Sequence, residues 1–290
     1  MKSRRIFNKV AIIGLGLMGG SLGLAIKRKK LAASVAGYAR RARTRKQALA
    51  VGAVDQVFAH PAAAVRNADL VVFCVPVSMI PVLAKVCAPA FSTRTVVTDV
   101  GSSKKEIVSR LEALVKSAGA RFVGSHPIAG SERQGIGAVS ARLYEKAVVI
   151  LTPTPRTDRG ALRKLKAFWT ALGARVAVVA PEAHDRMLAR TSHLPHLASA
   201  LLAATVGRER PERLARFCGP GFMDATRIAE GSPDLWLDII ASNRRAVLSE
   251  LRAFQAGISR LIKSMERPDF AAVKRILEQG RSRRRRLIKQ

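Results

Sequence analysis

Lys9-Val-Ala-Ile-Ile-Gly14-Leu-Gly16-Leu17-Met18-Gly19-Gly20-Ser21 is the stretch that decides the fold. Its apolar start, Lys9–Ile13, reads as a short buried strand, and Met18–Lys29 reads as a helix. Ser34–Tyr38 reads as a second strand, which completes a βαβ unit. Gly14, Gly16 and Gly19 then fall in the G-x-G-x-x-G pattern, directly after a strand and at the opening of a helix, as a dinucleotide-binding turn requires. The first glycine permits the tight turn, the second lets backbone approach a pyrophosphate, and the third lets helix and strand pack closely. Helix-terminal N–H groups and the helix dipole hold the phosphate charge. Leu17 and Met18 belong to the same turn and join the cofactor-binding set.

The end of the second strand chooses the dinucleotide. An NAD-binding strand ends in an Asp or Glu that accepts from the ribose 2′-OH. Here the strand runs Gly37-Tyr38-Ala39 into Arg40-Arg41-Ala42-Arg43, and no acid occurs before Asp55. The missing carboxylate removes both that hydrogen bond and the repulsion against a 2′-phosphate, which the arginines can bind through charge-assisted bonds. The residues therefore point to NADP, with NAD as the alternative, and to Ala39, Arg40 and Arg41 as the contact. The plainer reading of Arg40–Lys46 is a solvated basic loop.

Apolar strands continue at Leu70–Val75, Val96–Asp99, Phe122–Gly124, Ala147–Leu151 and Val176–Val179, with helical stretches such as Ile80–Ala88 and Lys104–Ser117 between them. Near-continuous apolar strands alternating with helices imply a parallel sheet covered on both faces. Beyond Pro181 only helical periodicity is found, at Met187–Val206, Arg213–Phe217, Pro233–Ile262 and Phe270–Gln279. The expected architecture is α/β: residues 1–181 form a Rossmann-like dinucleotide-binding domain, and residues 182–290 a helical substrate and dimerisation domain with a basic tail.

Composition narrows the class. The 290 residues can bury a real core, and 48% apolar residues fit a globular chain. Cys74, Cys87 and Cys218 lack metal-ligand spacing, and an odd count argues for a reducing compartment, so a cytoplasmic enzyme without a metal is expected. Val10–Ile26 follows a basic start and mimics a signal peptide. Its ordered glycines, its short length and the lack of a small-residue cleavage site argue against export or membrane insertion. With 51 Lys+Arg against 20 Asp+Glu, the protein carries a net charge of +31. Such a field concentrates anions, but no nucleic-acid-binding motif is present and aromatic residues are only 5%.

Three stretches are polar beyond what a bare scaffold needs. Asp99-Val-Gly101-Ser102-Ser103-Lys104 and Gly124-Ser125-His126-Pro127-Ile128-Ala129-Gly130-Ser131-Glu132 each follow a strand, where open α/β sheets place ligands. Val75, Pro76 and Gly101 join the cofactor set on the same ground. The third stretch lies in the helical part, as Ser192-His193-Leu-Pro195-His196 and Asp224-Ala-Thr226-Arg227.

Together with Gly14–Ser21, these stretches resemble the prephenate/arogenate dehydrogenase family, in order from about residue 9 to about residue 250. The resemblance implies oxidative decarboxylation of a cyclohexadienol in tyrosine biosynthesis, with hydride transfer from C4 to a nicotinamide and aromatisation as the driving force. It also implies an active site between the two domains and a homodimer formed through the helical one. By resemblance His126 takes the C4 hydroxyl proton, a role suited to imidazole, and Ser102 hydrogen-bonds near the same hydroxyl. Arg227 clamps the ring carboxylate, His196 lies near the substrate side chain, and His193, Ser131, Glu132 and Asp224 surround the pocket. Each has a plainer reading: His193 and His196 as packing histidines, Ser102 as a helix cap, Arg227 as a surface arginine, Trp236 and Met223 as core. For His126, flanked by Pro127 and glycines, a functional loop position is the stronger reading. After Glu132, Arg133-Gln134-Gly135-Ile136 offers no further acid to meet the ammonium of arogenate, which favours prephenate.

Two rivals stand beside this reading. A β-hydroxyacid dehydrogenase or pyrroline-carboxylate reductase shares Gly-Leu-Gly-Leu-Met-Gly but lacks the His-Pro-Ile-Ala-Gly segment. A basic nucleic-acid-binding protein rests on charge alone and predicts steeply salt-dependent binding.

Overall fold

The computed structural model describes residues 5–129, 135–208 and 211–288. β1 (Phe7–Ile13), α1 (Leu17–Arg28), β2 (Ala32–Tyr38), α2 (Ala42–Ala50), β3 (Gln56–Phe58), α3 (Pro61–Val65), β4 (Leu70–Phe73), α4 (Met79–Cys87), β5 (Val96–Asp99), α5 (Lys105–Ser117) and β6 (Arg121–Phe122) alternate along the chain. Their strands form one sheet in the order β3-β2-β1-β4-β5-β6, parallel throughout. Strand polarity explains the two layers. Val10 and Ile12 of β1 enter one apolar cluster with Leu22 and Ile26, whereas Ala11 and Ile13 enter the other with Phe73 and Ile80. Both faces of β1 are thus dry, as a strand covered by helices on both sides demands.

The order reverses between β1 and β4, and ligand crevices form at such a switch point beyond the strand C-termini. Four of the stretches singled out in the sequence leave the sheet along this one edge. These are the glycine turn after β1, Ala39–Arg41 after β2, Val75-Pro76 after β4 and Gly101-Ser102 after β5.

A second sheet was not expected. Val123 donates to the Val97 carbonyl at 3.0 Å, just beyond the end of β6. The chain then forms β7 (Gly124–Ile128), antiparallel to β8 (Val148–Thr152), which is parallel to β9 (Arg175–Val178). α6 (Arg159–Ala171) covers it, capped by Asp158, whose Oδ1 accepts from Ala161 N–H at 2.6 Å. The expected single strand Phe122–Gly124 is therefore two strands in two sheets. Pro127 obscured β7 as a strand, but it is an edge strand, where the missing N–H is tolerated.

All described elements after Pro181 are helical: α7 (Pro181–Leu188), a π-helical turn Ala189–His193, α8 (Leu194–Val206), α9 (Pro211–Leu214), α10 (Pro220–Thr226) and α11 (Pro233–Ser242). The expected helix Met187–Val206 begins earlier and widens into the π turn just before Pro195, which has no N–H to continue the ladder. The expected helix Pro233–Ile262 breaks at Asn243. By contacts the chain forms two compact units, Met1–Asn243 and Arg244–Gln290. The second is a helical pair, α12 (Arg244–Glu266) and α13 (Phe270–Leu287), with Asp269 capping α13 through Ala272 N–H at 2.9 Å. Phe254, Ile258 and Ile262 recur at four-residue spacing on α12 and are all exposed.

Candidate active site

Each glycine of the turn meets the requirement set by its place. Gly14 has φ +106°, and a Cβ there would lie 2.3 Å from the Cys74 carbonyl oxygen. A Cβ on Gly19 would meet the Gly14 carbonyl at 1.8 Å, so helix and strand touch backbone to backbone. Gly16 differs: nothing lies within 4 Å of its Cβ direction, and it is the residue just before α1, with no side chain to cap the helix. Open space beside free helix N–H groups is what a pyrophosphate needs. Leu17 and Met18 are half-buried, and the Met18 carbonyl accepts from the Tyr144 hydroxyl at 2.7 Å.

Ala39 is buried, and Arg40 and Arg41 are exposed. The basic run beyond them is not a loop but the start of α2, built from good helix formers. Arg45 turns back from that helix, and its Nη1 donates to the Ala39 and Arg40 carbonyls at 2.9 and 2.8 Å. The backbone under Arg40 is pinned, and the Arg40 and Arg41 side chains have no partner among the described residues. Val75 is half-buried and Pro76 exposed.

Behind the β5 turn lies a buried ionic plate. Asp99 and Lys104 are fully buried and form a direct ion pair. Asp99 Oδ2 also accepts from Gly101 N–H at 2.8 Å, and Oδ1 from Ser125 N–H at 3.2 Å. Ser125 Oγ donates to the Asp99 carbonyl at 2.5 Å, which ties β7 to β5. Ser102 is half-buried, and its hydroxyl has no partner among the described residues. It does not cap α5. That helix begins at Lys105, and its first N–H groups are taken by Asp185 of α7: Lys104 N–H at 2.7 Å and Lys105 N–H at 3.0 Å.

From Asp185 a line of buried histidines runs to β7. Asp185 Oδ1 lies 2.8 Å from His184 Nδ1, and His184 Nε2 lies 2.8 Å from His126 Nδ1. Burial pushes the His126 imidazole well below the usual histidine range, with His184, Lys104 and His193 adding to the effect. Burial also lowers His184, though its bond to the Asp185 carboxylate opposes the shift. Both rings are thus neutral near pH 7. On the far side of Asp185, Asn243 Nδ2 donates to the Asp185 carbonyl at 2.8 Å and sits 3.3 Å from His193 Nδ1. Burial pushes His193 down to about 4. His196 stacks on Trp236, with ring centres 3.6 Å apart, and its Nδ1 is buried without a partner among the described residues.

The structure thus brings His126, His193 and His196 into one buried polar region, joined by His184, Asp185, Asn243 and Trp236, which sequence reasoning missed. Trp236 is half-buried against a histidine and Met223 is 59% exposed, so neither is core as expected. His126 is on a strand rather than on a loop. Arg227 and Asp224 are exposed at the end of α10, and the Ile228 backbone bonds to His196. Ser131 and Glu132 lie outside the described residues. Among the described residues no group of three His, Cys, Asp or Glu is placed to hold a metal ion.

Comparison with known proteins meets this geometry at both ends of the chain. Residues 22–178 match the family model for the prephenate dehydrogenase nucleotide-binding domain, and residues 180–279 the model for its dimerization domain. The chain belongs to the prephenate dehydrogenase family. It is 37% identical over 259 residues to the cyclohexadienyl dehydrogenase of Zymomonas mobilis, covering 88% of each. Its structure is similar to that of prephenate dehydrogenase from Aquifex aeolicus in complex with hydroxyphenyl propionate and NAD+. The TM-score is 0.89 at 32% identity, over 97% of this chain and 98% of that one. Synechocystis arogenate dehydrogenase follows with TM-score 0.83 at 28% identity, over 97% and 100%. These matches place the chain in the family that the His-Pro-Ile-Ala-Gly segment resembled, rather than among the β-hydroxyacid dehydrogenases. As a member it is an oxidoreductase of tyrosine biosynthesis with a nicotinamide cofactor.

Proposed function

We propose that the protein oxidises and decarboxylates prephenate to 4-hydroxyphenylpyruvate with NADP+ as acceptor, as a cytoplasmic homodimer. The observation that carries the reading is His126, buried, neutral and held through Nδ1, with Nε2 left as a base. The nicotinamide, when bound, accepts the hydride from the ring carbon. The Gly14–Gly19 turn with Leu17 and Met18 holds its pyrophosphate, Ala39–Arg41 its ribose phosphate, and Val75, Pro76 and Gly101 line the same edge. His126 Nε2 takes the ring hydroxyl's proton, and returns it to the phenol oxygen once CO₂ has left. The free hydroxyl of Ser102 orients that oxygen, and Arg227 clamps the ring carboxylate in a bidentate fork. His193, His196, Ser131, Glu132 and Asp224 surround the substrate side chain.

Prephenate is favoured over arogenate because the run after Glu132, Arg133-Gln134-Gly135-Ile136, offers no further acid to meet an ammonium. No helix among the described residues is long and apolar enough to cross a membrane, which agrees with a cytoplasmic enzyme. The exposed apolar stripe Phe254, Ile258 and Ile262 on α12 supports dimerisation through residues 182–290. The test is steady-state kinetics on prephenate and arogenate with both cofactors, for the parent and His126→Ala. The variant should lose on the order of a hundredfold or more in kcat with cofactor affinity little changed. An unaltered kcat sinks the assignment.

A further inference from the structure

Asp185, His184 and His126 form one line of hydrogen bonds, and every proton in it is placed by the far end. A carboxylate only accepts, so the 2.8 Å bond to Asp185 Oδ1 puts the proton of His184 on Nδ1. A neutral imidazole carries one N–H, so His184 Nε2 is a lone pair, and His126 Nδ1, 2.8 Å away, must donate to it. The lone pair of His126 is thereby left on Nε2. Water has no place in the line: His184 is fully buried, and Asp185 and His126 are 4% and 8% exposed.

We propose that Asp185 and His184 are positioning residues that lock His126 in its Nδ1–H tautomer, and that His184 receives the positive charge when His126 takes the substrate proton. This rests on the assignment of His126 as base. In the step, the hydroxyl proton bonds to His126 Nε2 while the His126 Nδ1–H bond breaks. Its proton bonds to His184 Nε2, leaving His126 neutral and His184 an imidazolium against the Asp185 carboxylate. Nothing is oxidised in the shuttle, and it reverses when the phenol oxygen regains its proton. The charged surroundings favour this direction. Lys104 faces both rings and opposes a cation on either, whereas only His184 also faces the carboxylates of Asp185 and Asp99.

The chain has five histidines, so ¹⁵N-imidazole NMR of the whole protein resolves tautomers without substrate. His126 and His184 should both show Nδ1–H. Asp185→Asn keeps an amide oxygen where Oδ1 accepts from both Lys104 N–H and His184, so both rings should stay Nδ1–H while the counter-charge to a His184 imidazolium is lost. Its kcat should fall by about ten- to a hundredfold, with KM little changed. His184→Gln leaves the α5 cap intact, and its Oε1 can still accept from His126. The tautomer should survive, kcat should drop by about ten- to a hundredfold, and the acid limb of the kcat–pH profile should shift. Full kcat in Asp185→Asn overturns the relay and leaves His126 as base, whereas an Nε2–H signal on His126 in the parent overturns the relay together with a base at Nε2. Full kcat in His126→Ala beside intact Nδ1–H signals overturns the base assignment, and with it the proton transfer.

Discussion

Removing Arg40 and Arg41 together should weaken use of NADP and leave use of NAD unchanged. β2 makes its last pairing at Tyr38, opposite Ile13, and the next side chain, Ala39, is buried, so the strand offers a ribose no carboxylate. The first acid in the chain, Asp55, is engaged by Lys27 Nζ at 2.6 Å and Val35 N–H at 2.8 Å. Among the described residues no anion competes for Arg40 and Arg41, and Arg45 fixes the carbonyls beneath them. A charge-assisted hydrogen bond contributes about 1.5–3 kcal/mol, equivalent to about one to two decades of affinity. Because both side chains are exposed and salt-screened, the double alanine variant should lose about 10- to 100-fold in kcat/KM for NADP. The loss should shrink at high salt. The complementary change, Ala39→Asp, should favour NAD but also destabilise the apoprotein, because the new carboxylate enters a buried position. The assay is kcat/KM for each cofactor at fixed prephenate. Equal or better use of NAD by the parent, or equal loss with both cofactors in the double variant, would refute the reasoning.

Three further outcomes are expected. Arg227→Ala should raise KM for prephenate far more than it lowers kcat, since a carboxylate clamp contributes in ground and transition states alike; a pure kcat effect measured under saturation contradicts this. Lys104→Met should leave Asp99 as an unpaired buried charge and cost about 3–5 kcal/mol of unfolding free energy, read by urea denaturation; a loss below about 1 kcal/mol excludes a buried charged pair. Finally, His193 titrates lower folded, at about 4, than unfolded, at about 6.5, so below pH 6.5 the unfolded chain binds the extra proton. Stability should fall by about 1.4 kcal/mol per pH unit for this group until pH reaches about 4, and His193→Gln should flatten that slope.

What the sequence displays is local. Gly14, Gly16 and Gly19 declare their roles because turn, approach and packing are all decided within one strand–helix junction. α2 was hidden because Arg40–Lys46 looks like a solvated charge run, yet arginine and lysine are good helix formers. β7 was hidden by Pro127, whose tolerance depends on an edge position that only the sheet order reveals. The relay is hidden for another reason. His126 and His184 are 58 residues apart and Lys104 and Asp185 are 81 apart, and no periodicity connects them. A signal did exist, since four of the five histidines, His126, His184, His193 and His196, meet in one region. In so histidine-poor a chain, His184 beside an acid warranted attention.

Asp185 shows why such a residue cannot be read from one role. Its carboxylate closes the N-terminus of α5, the helix that starts just after Ser102, and the same carboxylate orients His184. Its carbonyl accepts from Asn243, the residue at which the expected long helix breaks. In a chain with 51 basic and 20 acidic residues, a buried acid is held where several donors converge, because burying a carboxylate is costly unless it is fully hydrogen-bonded. Here those donors are a helix end, an imidazole and a helix break. The fold therefore cannot set the start of α5 without also setting the tautomer behind His126. The π turn at Ala189–His193 fits the same constraint, because it lets α7 present His184 and Asp185 to α5 while the helical path still delivers His193 to Asn243.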